Sequence, residues 1–226
     1  MRTVCQTYEQ AAAAREQGIH VVSCDEKTGI QALERLHPTL AMQQGESERR
    51  EFEYVRHGTQ TLIASMDVAT GQMLAPSVGP TRTEVDFAAH IEGVVLTAPD
   101  DSWIFVCDQL NTHKSEALVR LVAASEGRGE ELGVKGESGI LHTLSTREAY
   151  LRDPSHRIRF VYTPKHTSWL NQVEIWFSIL SRRLLKRASF VSTEALRTRL
   201  LAFMDYFNRT LAKPFKWTYQ GRPLQA

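Results

Sequence analysis

Cysteine is scarce here: three in 226 residues, none in a Cys-x-x-Cys pair. That excludes a disulfide framework and a structural zinc site, and it suits a reducing cytosol. No apolar run is long enough to cross a bilayer. The amino terminus, Met1-Arg2-Thr3-Val4-Cys5-Gln6-Thr7, lacks the apolar core of a signal peptide. No internal repeat is visible, which excludes a solenoid. What remains is ordinary: 42% hydrophobic and 23% charged residues, enough chain for one substantial domain or one domain with an insertion.

Net charge is nearly absent as well, at +1, but the sum hides an asymmetry. Residues 157–226 hold 13 Lys and Arg against 3 acids, while the first 156 hold 14 against 23. A positive end on an acidic chain points to a polyanionic partner; a solvated basic helix face is the plainer alternative. Trp169, Trp176, Phe190, Phe215 and Trp217 lie among those cations and favour nucleic acid, although several must be core.

Along the chain, 7–17 is rich in strong helix formers and reads as a helix. An apolar run over 19–25 reads as a buried strand ending at Asp25. Residues 30–50, with Pro38 and Gly45, read mostly as loop. Two strands at 51–57 and 61–67 are expected around a turn at His57-Gly58-Thr59, and a further strand at 72–77. Thr83 and Asp86 form a capping-box pattern for a helix to about Val95. A strand follows at 103–107, then a helix over 114–125. The glycines at 127, 129, 133, 136 and 139 mark 126–155 as an inserted excursion with one short helix near 145–151. A strand over 158–162 and helices over 168–186 and 192–208 complete the pattern, and Pro214 and Pro223 end it. Such an order predicts an α/β fold, a mixed five-stranded sheet of the ribonuclease-H type flanked by helices.

Three acids stand out on this frame. Asp25 follows His20-Val21-Val22-Ser23-Cys24, Asp108 follows Trp103-Ile104-Phe105-Val106-Cys107, and Glu174 sits in Trp169-Leu170-Asn171-Gln172-Val173-Glu174-Ile175-Trp176-Phe177. A carboxylate at the tip of a buried strand is costly to desolvate, and a divalent metal is the usual partner that offsets the cost. Singly, each acid also fits a turn former, a helix cap or a solvated helix position. Glu26 points to the opposite face if the strand continues, and Asp67 reads as a turn former beside Thr70-Gly71. Parity places Cys24 and Cys107 on the face opposite the acids, as buried packing.

Four stretches, in order, carry a resemblance. They are Asp25-Glu26-Lys27-Thr28-Gly29-Ile30-Gln31-Ala32-Leu33-Glu34-Arg35, Arg56-His57-Gly58-Thr59, Asp108-Gln109-Leu110-Asn111-Thr112-His113-Lys114, and Thr163-Pro164-Lys165-His166-Thr167-Ser168 running on through Phe177. The sequence resembles the DDE catalytic domain of mariner-superfamily transposases, in the bacterial insertion-sequence (six-thirty family) branch. The resemblance implies a ribonuclease-H-like fold and cut-and-paste DNA transposition by metal-dependent strand cleavage and strand transfer. It makes Asp25, Asp108 and Glu174 the catalytic, metal-holding acids. Two Mg²⁺ ions are implied, with Mn²⁺ as a substitute; Asp25 would bridge both, and Asp108 and Glu174 would each hold one.

Two departures accompany the resemblance. Sixty-five residues separate Asp108 from Glu174, more than is usual in the family, and the glycine-rich 126–155 accounts for the excess. Family members also carry helix-turn-helix DNA-binding domains ahead of the catalytic part, and here the first catalytic strand begins almost at once. That reads as a truncated copy, a fragment of a longer frame, or half of a frameshifted gene.

Lys165, His166, Arg182, Arg183, Lys186 and Arg187 are the expected DNA contacts, salt-sensitive and largely independent of sequence. His113 and His166 flank the expected site, as phosphate contacts or as hydrogen-bonded supports, and Asn111 and Asn171 are expected to wall it. The implied partners are transposon ends and target DNA, with room for a homodimer and for a separate N-terminal half, and with no membrane. The implied location is the bacterial cytoplasm, at the nucleoid. A stand-alone ribonuclease-H-like or junction-cleaving nuclease and a non-catalytic DNA-binding remnant are the alternatives.

Overall fold

The computed structural model describes residues 1–37, 40–49, 51–127, 129 and 131–221. Its centre is a five-stranded sheet: β1 (Ile19–Arg35), β2 (Tyr54–Asp67), β3 (Met73–Gly79), β4 (Ser102–Cys107) and β5 (Ile158–Tyr162), in the spatial order β3-β2-β1-β4-β5. β1, β2 and β3 pair antiparallel, while β4 and β5 join β1 in parallel. This is the predicted mixed five-stranded sheet, and helices cover both faces. On one face α3 (Glu84–Val95), α4 (Glu116–Glu126) and α5 (Leu144–Leu151) pack over Val22, Cys24, Phe105 and Phe160. On the other, α1 (Arg2–Glu9) packs with Val21, Ile104 and Val106; α2 (Ala11–Arg15) follows it in the chain. α6 (Val173–Leu180) and α7 (Thr193–Thr210) cover Ile30, Leu62, Ala64 and Met66 on that side. Alternation along β1 and β4 therefore puts Cys24 and Cys107 on the α3 face, and Asp25 on the face that carries α6.

The expected turn at His57-Gly58-Thr59 is a strand interior. β2 runs through it, with Gly58 at φ 111 and with Thr59 and Arg56 paired to Gln31 and Leu33 of β1. β1 likewise continues to Arg35, so Asp25 lies inside it rather than at its end, and the first residues of the expected 30–50 loop are strand. Register shifts between Lys27 and Ile30 and between Gln31 and Leu33 explain why simple alternation fails there. Ile30 and Ala32 still turn into the core. The amino-terminal helix comes as two pieces that start five residues earlier than expected. The expected helix over 168–186 is also in pieces: a 3₁₀ turn (Ser168–Leu170), then α6, then a π turn (Ser181–Leu185). Pro38, Arg222 and Pro223 lie outside the described residues.

The helix expected within 126–155 is α5, and the segment is tied into the core. Leu141 and Leu151 are buried, and the Arg147 guanidinium donates to the carbonyls of Lys114 and Leu141, both at 2.8 Å. Gly133 and Gly139 let two backbone stretches meet there. A Cβ on Gly133, at φ 81, would lie 2.3 Å from the Ser138 carbonyl oxygen. Gly133→Ala is expected to destabilise the fold by about 2 kcal/mol or more, seen as a lower denaturant midpoint at unchanged slope.

Candidate active site

Parallel pairing of β1 with β4 matches Ser23 to Val106, so two residues further on Asp25 and Asp108 reach corresponding positions on neighbouring chains. Asp25 is 7% exposed. Its Oδ1 accepts the Glu26 N–H at 2.8 Å, and its Oδ2 accepts the Asn171 side-chain amide at 3.1 Å. Burial, reinforced by the negative charge of Asp108, pushes the Asp25 carboxyl up to about 7.

Asp108 is half-buried and titrates the other way. Burial alone would raise it, but hydrogen bonds from His113 and from the Leu110 N–H, with the His113 charge, hold it below the usual carboxylate range. His113 Nδ1 stands 2.8 Å from Asp108 Oδ1, and its Nε2 stands 3.1 Å from Glu26 Oε2. Both nitrogens are thus committed to carboxylates. Burial would lower the imidazole, and the bonds to Asp108 and Glu26 outweigh it, raising His113 to about 10. The ring packs on Phe87 at 4.3 Å between centroids. Glu26, which alternation turns away from Asp25, is therefore joined to the site through His113, with its own side chain only 1% exposed.

Asn171 fastens the third element. Its amide nitrogen also donates to the Cys24 carbonyl at 2.8 Å, and its oxygen accepts the Ser23 hydroxyl. Ser23 Oγ in turn accepts the Val173 N–H at 2.9 Å. One of the unpaired donors at the start of α6 is thereby satisfied by β1. This fixes where Glu174, in the first turn of α6, emerges. Glu174 is half-buried and lines a small cleft of about 300 Å³ with Lys27, Phe177, Ser178, Ser181, Arg182 and Lys186. Asp25 and Asp108 are brought together; Glu174 shares their side of the sheet without closing on them. Among the described residues, no three His, Cys, Asp or Glu side chains are grouped to hold a metal ion.

Lys165 and His166 are exposed on the loop after β5, where His166 adopts φ 62. That loop is anchored beside Asp108: the Thr163 N–H donates to the Cys107 carbonyl at 2.9 Å, and the Gln109 amide donates to the Thr163 carbonyl at 2.8 Å. Arg182, Arg183, Lys186 and Arg187 are all exposed. Sequence reasoning missed the roles of Ser23 and Lys27. The available signal for Ser23 was its parity with Asp25; for Lys27 there was none.

The donor chemistry fits a hard divalent cation. Asp25 and Asp108 are carboxylates at corresponding positions of neighbouring strands, the hard oxygen donors such a cation takes. The Asn171 amide oxygen is turned to Ser23, so that residue orients Asp25 rather than ligating.

The profile of the DDE superfamily endonucleases matches residues 20–197. No curated protein matches the sequence significantly. Among solved structures, a pre-cleavage Mos1 transpososome superposes with a TM-score of 0.53 at 12% identity, over 92% of this chain and 57% of that one. The Mos1 mariner paired-end complex with Mn gives 0.52 at 12%, over 92% and 57%. The isolated catalytic domain of Mos1 mariner transposase gives 0.50 at 10%, over 92% and 84%. At these identities the likeness is one of fold, and the chain spans little more than half the length of the proteins in the two complexes. The matched stretch of this chain takes in Asp25, Asp108 and Glu174 and runs from β1 into α7: the chain belongs to the DDE endonuclease superfamily.

Proposed function

We propose that the chain is the catalytic part of a DNA transposase, cleaving transposon ends and joining them to target DNA in cut-and-paste transposition. The observation that carries this reading is the register of β1 and β4, which sets Asp25 beside Asp108 on the face bearing Glu174. Asp25, Asp108 and Glu174 would hold two Mg²⁺ ions, or Mn²⁺ in their place. When bound, such a pair polarises the scissile phosphate and lowers the pKa of the attacking water or 3′-hydroxyl. The chain's own residues prepare for this. Asn171 fixes one oxygen of Asp25, and His113 keeps Asp108 ionised. Lys165, His166, Arg182, Arg183, Lys186 and Arg187 would grip phosphates along the strand. We read 1–226 as one catalytic unit with an insertion near 126–155. DNA-end recognition would come from an N-terminal DNA-binding half, the chain would act as a homodimer, and the work would be done at the nucleoid, in the cytoplasm of a bacterium. No helix among the described residues is long and apolar enough to cross a membrane.

A second reading, a DNA-binding module without cleavage, draws on the separation of Glu174 from the aspartate pair. Nicking of supercoiled plasmid decides between them. Purified protein with Mg²⁺ or Mn²⁺ is expected to nick, and Asp108→Ala to lower the rate by about a hundredfold or more. Folded wild-type protein that nicks with neither metal would overturn the catalytic reading of this chain.

A further inference from the structure

The cations that follow Glu174 do not form one stripe. In the π turn the Lys186 N–H reaches back to the Ser181 carbonyl at 2.9 Å. The side chains divide between two clefts, following the i, i+4 pairs Arg182 with Lys186 and Arg183 with Arg187. Arg182 and Lys186 line the small cleft beside Glu174, while Arg182, Arg183 and Arg187 line a larger one between the π turn, α7 and the segment after it. The larger cleft has a volume of about 1050 Å³, at the upper end of small-ligand sites (about 300–1,000 Å³). Arg199 and Lys213 complete its cationic lining, and no Asp or Glu lines it. Among the described residues none of these five cations has an acid within ion-pair distance. The acids of α7 are engaged elsewhere, Glu194 with Arg197 and Asp205 with Arg209. Tyr206, 46% exposed, and the half-buried Phe203 and Phe215 lie among the cations.

We propose that this cleft binds single-stranded DNA, with phosphates on Arg183, Arg187, Arg199 and Lys213 and a base against Tyr206. This deepens the reading of the chain as a DNA-cleaving enzyme and rests on it, by giving the separated strand a seat. Cations alone would suit any polyanion. Aromatic faces set among them suit a chain of phosphates that also carries flat rings, and only unstacked bases offer those rings. A duplex keeps its base faces covered. An acidic protein segment carries no repeating flat rings for Tyr206 to stack on. Arg182 lines both clefts, so a strand leaving the neighbourhood of Glu174 enters the larger cleft directly.

The test is fluorescence anisotropy of the full chain with labelled oligothymidylate in EDTA, beside plasmid nicking with Mg²⁺. Tyr206→Ala is expected to weaken oligothymidylate binding about tenfold. Arg199→Ala with Lys213→Ala is expected to lower the salt slope of binding by about 1.4, two phosphates' worth. All three side chains are solvent-facing, and unchanged circular dichroism would verify the fold. Unchanged affinity and slope, with nicking intact, would overturn the cleft and leave the nuclease reading standing. Absent nicking with the expected losses of binding would overturn the nuclease reading and support the cleft. Polyglutamate binding as tight as oligothymidylate, with Tyr206→Ala silent, would assign the cleft to an acidic protein segment and overturn the proposal.

Discussion

Asp25→Asn is expected to make the metal-free protein more stable near pH 8 while abolishing its metal-dependent nicking. Asp25 is held protonated by burial first and by Asp108 second, up to about pH 7. In an unfolded chain the same group ionises near pH 3.9. Between those values the folded state binds the extra proton, so stability from this group falls as pH rises from about 4 to about 7 and is level above. Three units of difference correspond to about 4 kcal/mol of cost at pH 8. Asparagine removes the charge but offers one acceptor where the carboxylate offers two to Glu26 N–H and Asn171. One lost hydrogen bond of about 1 kcal/mol leaves a net gain of about 3 kcal/mol, or roughly 6–12 °C in Tm. Thermal melts at pH 5 and pH 8 in EDTA check this. A variant that melts with or below the wild type at pH 8 would refute the assignment of Asp25 as a carboxylate waiting for a cation.

His113→Ala is expected to be the most destabilising change in the site. The imidazolium lies between Glu26 and Asp108, and its removal strands the Glu26 carboxylate in a side-chain environment that is 1% exposed. Removing one partner of a buried pair costs about 3–5 kcal/mol. The slope with pH has the same sign as for Asp25, but here the charged form is the stabilised one. His113 is raised from about 6.5 to about 10, so its contribution is complete below about pH 6.5 and is lost as pH rises through about 10. The gap between wild type and variant should therefore narrow from pH 7 to pH 10.5. Urea unfolding at both values measures it. A gap below about 1 kcal/mol at pH 7, or one that stays constant, would show that the imidazole carries no charge there.

Much of this was legible in the residues. The apolar runs before Asp25 and Asp108 fixed two strands and their parity, and parity alone put Cys24 and Cys107 on the far face. The Thr83 capping box, with its Asp86 partner, marked α3 where it lies. What stayed hidden depended on pairing across the sheet. His57-Gly58-Thr59 has turn chemistry, yet β1 supplies partners on both sides of it, and a continuous ladder outweighs a local preference. The break before α6 was hidden for a related reason. Nothing in Ser168–Val173 shows that Ser23, 150 residues earlier, takes the Val173 N–H. Glu26 was set aside on parity, correctly as to face; its link to Asp108 needs His113 to reach around the end of the sheet.

The π turn at Ser181–Leu185 carries a consequence for how the basic segment can vary. An α-helix advances about 100° per residue. A π turn spends about one residue more than an α turn for nearly the same rotation, so one residue removed from it would restore α-helical bonding and leave the side chains after it close to their present directions. Lys186 and Arg187 would then face the clefts they face now. One residue of chain length is thus something this fold can absorb within a single turn without redirecting its cations.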